Sequence, residues 1–453
     1  MMSELIMKLL TYLMVLAAMF AALPLSGEPV DLSTAWEKAK EYDARLGAAQ
    51  ADNLMYQEEV GKARAQLRPS VRVNAARGRN ATQYTGKRGD VASSYYNSVN
   101  YGVSVRQPLL NLSNIAAYKQ AKVEAAKSDV DLQKEEAALI VRITEAYCNA
   151  LYAEDNLNFS QALVKASLEQ LQQSKRRFEK GFGTITEINE AQANYDMALA
   201  DGLEIVNSVE FTRRELEHLI GQYPDQLCTV VPEKLVLAEP IPKNVQYWID
   251  LALAHNHDVV GGLQEILIAK REIEKQKYSR YPTVDLVGGR NYSESENNYS
   301  IGSIYDTYSI SLQMSMPIYT GGYVSASVRQ AHAKWLKAQE QLSMQERTVQ
   351  SDVRKYFNGI ITGIAQIHAY EQAVKSNEIA LTGTKKGFEA GLRSNVDVLD
   401  AQQKLFASRR NLAKSRYQYI LNRLMLKQAS GTLSATDVEE VNGWLAVSPK
   451  RMQ

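Results

Sequence analysis

The sequence predicts a mainly α-helical chain with a membrane β part, and three observations predict it. Leu109–Tyr223 and Ile318–Ser448 contain no proline and are rich in Ala, Leu, Gln, Glu, Lys and Arg, the strong helix formers. Four short segments alternate apolar and polar residues with the period of a half-exposed strand. The whole arrangement then recurs at an offset of about 210 residues.

The N-terminus comes first. Met1–Lys8 carries one Lys opposed by Glu4, and the almost wholly apolar Leu9–Leu23 precedes Pro24, Ser26 and Gly27. That run is shorter than the roughly 20 residues a membrane helix needs, so residues 1–27 are predicted as a signal peptide rather than an anchor. Cleavage is placed near Gly27. No later window reaches the length of an apolar membrane helix.

Residues 28–221 read as a first structural repeat: a helix, a β-hairpin over about 70–107, and a helical hairpin over 109–221. Val99, Tyr101, Val103 and Val105 alternate with Asn100, Gly102, Ser104 and Arg106, with Val71–Arg79 as the weaker partner. The linking segment Asn80–Asn97 is read as a loop. Along the first long helix, Leu139, Ile143, Ala146, Ala150, Ala153 and Leu157 follow alternating steps of four and three, the spacing of a coiled-coil seam. Gly181-Phe182-Gly183-Thr184 interrupts it: glycine ends a helix and Thr184 caps the returning one.

Residues 222–244, with Pro224, Pro232, Pro240 and Pro242, form a linker. The second repeat, 245–431, has a helix, a β-hairpin over about 283–316 and a helical hairpin over 318–431; residues 432–453 are a C-terminal tail. Tyr308, Ile310, Leu312, Met314 and Met316 alternate with Thr307, Ser309, Ser311, Gln313 and Ser315, paired with Thr283–Arg290 across a loop at Tyr292–Asp306. Gly391-Leu392-Arg393-Ser394 is the second helical turn, with Ser394 as its cap. Phe178-Glu179-Lys180-Gly181 matches Phe388-Glu389-Ala390-Gly391 at an offset of 210.

The strands are about ten residues long with one apolar and one polar face, the pattern of a membrane barrel with a wet lumen. A soluble β-sandwich is the competing reading, and four isolated strands serve it poorly. Four strands cannot close a barrel, and an open edge in lipid leaves backbone groups unpaired. Copies of the chain must therefore share one: two give eight strands with a filled interior, three give twelve and a pore.

Composition excludes other classes. The 52 basic against 51 acidic residues give a net charge of +1, which offers no face for nucleic acid. The 25 Tyr against 8 Phe suit wet interfaces. No H-E-x-x-H, C-x-x-C or Walker loop occurs, so no enzyme, metal or cofactor is expected. Cys148 and Cys228 are read as two unpaired thiols. Asp397 and Asp400, three apart in a first helical turn, share one side, where acids also simply favour the helix dipole.

The duplicated order, covering nearly the whole chain after the signal region, resembles the TolC-like outer-membrane factors. Gly391-Leu392-Arg393-Ser394-Asn395-Val396-Asp397-Val398-Leu399-Asp400-Ala401 is similar to that family's second tip. The resemblance implies a homotrimer with a twelve-stranded β-barrel in the outer membrane and a twelve-helix tunnel in the periplasm. It also implies a passive exit duct served by a periplasmic adaptor and an inner-membrane pump, an ABC transporter or another. Arg393 then belongs to the links that hold the periplasmic gate closed, with Thr186 and Glu187 as first-repeat partners; Glu replaces the usual Asp. Asp397 and Asp400 ring the entrance, which would attract cations. Phe388 stands where the family can carry a gating Tyr, so that hydroxyl bond cannot form. Gly181, Phe182, Gly183, Thr184, Gly391, Leu392 and Ser394 become the adaptor-contact tips.

Ala429-Ser430-Gly431-Thr432-Leu433-Ser434, followed by Gly443-Trp444-Leu445, resembles family members serving type I secretion. That favours protein secretion over small-molecule efflux. A trimeric coiled-coil adhesin or spacer is the more distant alternative, disfavoured because each rod doubles back.

Overall fold

A computed structural model describes residues 29–447 apart from 88, 90, 299 and 300; the predicted signal peptide and the last six residues of the tail lie outside this range. In chain order the elements are α1 (Leu32–Tyr42), α2 (Ala44–Ala65), β1 (Ser70–Thr85), β2 (Val91–Leu110), α3 (Leu112–Glu179) and α4 (Ile185–Ile220). After β3 (Thr229–Val230) come α5 (Val245–His255), α6 (His257–Tyr278), β4 (Thr283–Asn298), β5 (Ile301–Ser315), α7 (Tyr323–Glu389) and α8 (Asn395–Ala429). The chain closes with α9 (Ala435–Asn442) and β6 (Leu445–Ala446). The fold is mainly helical with few strands, as the proline spacing predicts.

The duplication is visible in helix lengths: 68 and 36 residues for α3 and α4, 67 and 35 for α7 and α8. At about 1.5 Å per residue α3 is roughly 100 Å long. Both hairpin turns use the punctuation read from the sequence. Gly181 and Gly391 adopt φ of 75° and 73°, a left-handed conformation that glycine alone enters freely. Thr184 and Ser394 then cap the returning helices, accepting from Glu187 N at 3.2 Å and Asp397 N at 3.1 Å.

The strands differ from their predicted bounds. The segments read as loops, Asn80–Asn97 and Tyr292–Asp306, are mostly strand. The β1–β2 register runs unbroken from Ser70↔Arg106 to Thr85↔Val91, and β4–β5 pairing reaches Asn298↔Ile301. A continuous antiparallel ladder satisfies the backbone of these polar, Tyr- and Thr-rich stretches, which fit a pleated surface better than their polarity suggests. The long helices accordingly start later than 109 and 318. Pro108 lies inside β2 beside a register shift, and Leu110 still faces Val284. Gly321 and Gly322, both at positive φ, precede Tyr323. The tail is also structured: β6 pairs with β3 antiparallel.

The chain divides into two compact units that cut across the repeats. One takes residues up to Gly47, Glu135–Asn256 and those from Val349; the other takes Ala48–Lys134 and His257–Thr348. In the first, α1 packs on α4 and α9, burying Leu32, Ala35 and Ala39 with Leu216 and Val438. Of the predicted seam, Leu139, Ile143, Ala146, Ala150 and Ala153 are buried and Leu157 is half-buried. The Tyr147 hydroxyl reaches the carbonyls of Val30 at 2.9 Å and Cys228 at 2.8 Å. Cys148 and Cys228 are buried free thiols, and burial pushes the Cys148 pKa up to about 12.

In the second unit, β1-β2-β4-β5 form one antiparallel sheet. Gly262 lets α6 approach α7 closely, since a Cβ there would lie 3.0 Å from Leu342 Cδ1.

Candidate functional site

The sheet brings the four alternating segments into register. Val71 faces Val105, which faces Gly288, which faces Ile310; one step on, Val73, Val103, Arg290 and Tyr308 are aligned. One face thus gathers Val71, Val73, Val103, Val105, Ile310 and Leu312, and all six are exposed. The opposite face carries Arg72, Asn74, Ser104, Arg106, Ser309 and Ser311. Further along the apolar face, Tyr101 stacks on Tyr292 with centroids 4.5 Å apart, and Arg290 pairs bidentately with Asp306 at 2.9 and 2.8 Å. Among the described residues β1 and β5 have no partner on their outer edges, and no helix is long and apolar enough to cross a membrane. An uncovered apolar face with two free edges is what a barrel segment presents before closure.

The glycine turns carry the remaining predicted residues. Phe182 and Leu392 are 75% and 82% exposed at the two tips. Gly181, Thr184, Gly391 and Ser394 are exposed and Gly183 is half-buried.

Asp397 and Asp400 separate in role. Asp397 closes a capping box on Ser394, accepting from its backbone N and hydroxyl, both at 2.9 Å. The backbone N–H of Ser394 is the main cause that holds the Asp397 carboxyl below its ordinary value. Asp400 is exposed, with no hydrogen bond or ion pair among the described residues. Arg393 lies along Gly387, where an added Cβ would meet its Cγ at 2.8 Å, and it makes no ion pair among the described residues. Thr186 is exposed. Within one chain, then, Arg393 is not linked to Thr186 or Glu187.

A different set of groups joins the two hairpins. Gln170 bonds Asn395, and both are buried. Asn395 Nδ2 donates to the Glu187 carbonyl at 3.2 Å, while Glu187 Oε2 is buried without a hydrogen-bond partner. Phe388, 3% exposed, lies under the Arg177 guanidinium at 4.6 Å, and Arg177 Nη1 donates to the Phe388 carbonyl at 3.2 Å. Sequence reasoning missed Gln170, Arg177 and Asn395. Their signal was there: Gln170 and Arg177 are one heptad apart on α3, hence on one face.

The comparisons agree with this architecture. The outer membrane efflux protein family matches over residues 35–222 and 248–432. The outer membrane protein TolC of Vibrio cholerae serotype O1 is 33% identical over 93% of this chain and 95% of its own length. The proteases secretion protein PrtF of Dickeya chrysanthemi is 30% identical over 94% and 93%. Among solved structures, the outer membrane protein VceC from Vibrio cholerae superposes with a TM-score of 0.76 at 20% identity, covering 88% of this chain and 96% of that one. The chain belongs to the outer membrane efflux protein family: it is an outer-membrane channel, not an enzyme.

Proposed function

We propose that the chain forms the exit duct of a tripartite export system, most directly one for type I protein secretion. Three copies close a twelve-stranded barrel, and the helical hairpins form the tunnel that a periplasmic adaptor and an inner-membrane pump, an ABC transporter or another, address at their tips. The single observation behind the duct is the four-stranded sheet, apolar on one exposed face, polar on the other and open at both edges. Lipid tolerates no open edge, so the sheet must be completed by its own copies. Twelve strands leave room for a pore; eight do not.

Protein cargo is favoured by the likeness to a relative named for protease secretion and by the C-terminal segment Ala429–Ser434 with Gly443-Trp444-Leu445. Small-molecule efflux is the second reading, supported by the family to which the chain belongs. Two measurements test these readings. Purified protein in a planar bilayer should conduct; a silent bilayer refutes the duct. A deletion strain should lose proteins from its medium; an unchanged extracellular proteome with raised drug sensitivity would replace secretion by efflux.

A further inference from the structure

The two tips share Phe-Glu-x-Gly, Phe178–Gly181 and Phe388–Gly391, and among the positions where they differ two form an exchange. At the repeat offset of 210, Arg177 corresponds to Gly387 and Gly183 to Arg393. Each tip holds one arginine and one glycine in swapped positions. Arg393 lies along Gly387 within its own turn. Arg177 reaches instead from the end of α3 to the second hairpin, where it covers the Phe388 ring at 4.6 Å and bonds the Phe388 carbonyl at 3.2 Å. The burial of equivalent phenylalanines registers the consequence: Phe388 is 3% exposed and Phe178 45%.

The surface around this contact is unusually polar for a helix seam. Gln170, Ser174 and Arg177 recur at steps of four and three on α3, one face of the helix. Gln170, Ser174, Asn395 and Gln402 are all buried. Ser174 Oγ, Gln402 Oε1 and Arg177 Nε lack hydrogen-bond partners in the packed state. Buried polar atoms without partners favour hydration, so this seam gains from admitting water in a way that an apolar seam does not. A contact must hold it shut, and Arg177 supplies the one with both a charge–ring and a hydrogen-bond component.

We propose that Arg177, clamped on Phe388, is the intraprotomer latch of the periplasmic gate. It positions the second hairpin against the first where no tyrosine hydroxyl is present. The proposal rests on the channel reading above.

The test is built so that the two can fail separately. Ser174→Cys places a thiol in the seam of the full-length protein, and its maleimide reaction rate reports seam opening; wild-type protein gives the background from the two native thiols. In that protein Arg177→Ala should raise the rate about tenfold, the loss of one cation–π contact and one hydrogen bond. Phe388→Leu should match it, and the pair together should exceed neither by more than twofold. Phe388→Tyr, which keeps the ring, should leave the rate unchanged, and Arg177→Lys, which keeps the charge without the planar stack, should fall between. An unchanged rate in both Arg177→Ala and Arg177→Lys, or full multiplication of the two single effects, would overturn the latch. Conductance is measured on the same samples. A raised reaction rate with a silent bilayer would uphold the Arg177–Phe388 contact as what closes the seam and reject the duct, and with it the gate.

Discussion

The ion pair between Glu154 and Arg213 ties α3 to α4 inside the first hairpin, and its removal tests whether that rod is held by charge. Glu154 is 3% exposed and accepts from Arg213 at 2.6 Å (Nη2) and 3.1 Å (Nε), with Arg213 18% exposed. Burial lowers the Arg213 pKa more than any other single effect, but the hydrogen bonds and charge attraction of Glu154 and Tyr223 together outweigh it and leave the pKa raised. Glu154→Ala strands that guanidinium among helices. Removing one partner of a buried pair costs about 3–5 kcal/mol, because a charge is left without compensation. At roughly 2–4 °C per kcal/mol for a unit of this size, the helical melting midpoint should fall by about 6–20 °C. Glu154→Leu combined with Arg213→Met removes both charges and should recover to within about 1 kcal/mol of wild type. Glu37→Ala breaks an exposed pair with Lys40 and should cost less than about 1 kcal/mol. The assay is thermal circular dichroism at one protein concentration in one detergent. A Glu154→Ala midpoint no lower than that of Glu37→Ala would refute the reasoning.

Replacing Asp397 and Asp400 by Ala should raise single-channel conductance and weaken block by multivalent cations; unchanged values in planar bilayers would remove both from the entrance. The Asp397 carboxyl sits below its ordinary pKa of 3.8, so its capping contribution is complete above that value and disappears only as pH falls through the lowered one. Arg393→Ser should favour an open periplasmic end, read as higher conductance and greater antibiotic leak. Ser394→Ala should cost about 1 kcal/mol at the start of α8 and speed amide exchange in its first turn about fivefold, with the first turn of α4 unchanged. Gly431→Ala should destabilise by at least about 2 kcal/mol in thermal melts. There φ is +69° and a Cβ would lie 2.2 Å from the His255 carbonyl oxygen.

Elements with a strong period were legible without coordinates. The long helices followed from proline's absence, their turns from Gly181 and Gly391, and their caps from Thr184 and Ser394. Strand ends were not legible, because the outer halves of β1, β2, β4 and β5 are as polar as loops and are held by ladder pairing that no single segment encodes. The same limit applied at the tips. Acids and arginines attract attention in a sequence, and Asp397, Asp400 and Arg393 were named. The groups that join the hairpins include a backbone carbonyl of Glu187, a neutral amide at Asn395 and the face of a phenyl ring. Their importance comes from who sits opposite them across more than 200 residues of chain.

The contact near the two ends of the described chain sets an order of events in time. Asn442 accepts from the backbone N of Leu32 at 3.0 Å and donates to Asp31 at 2.9 Å across 411 residues of sequence. Synthesis at about 5–20 residues per second separates the two partners by roughly 20–80 s. During that interval the first turn of α1 lacks this partner, and β3 has no β6 to pair with. A chain truncated before Asn442 keeps the packing of α1 on α4 but never gains these bonds or the β3–β6 pair.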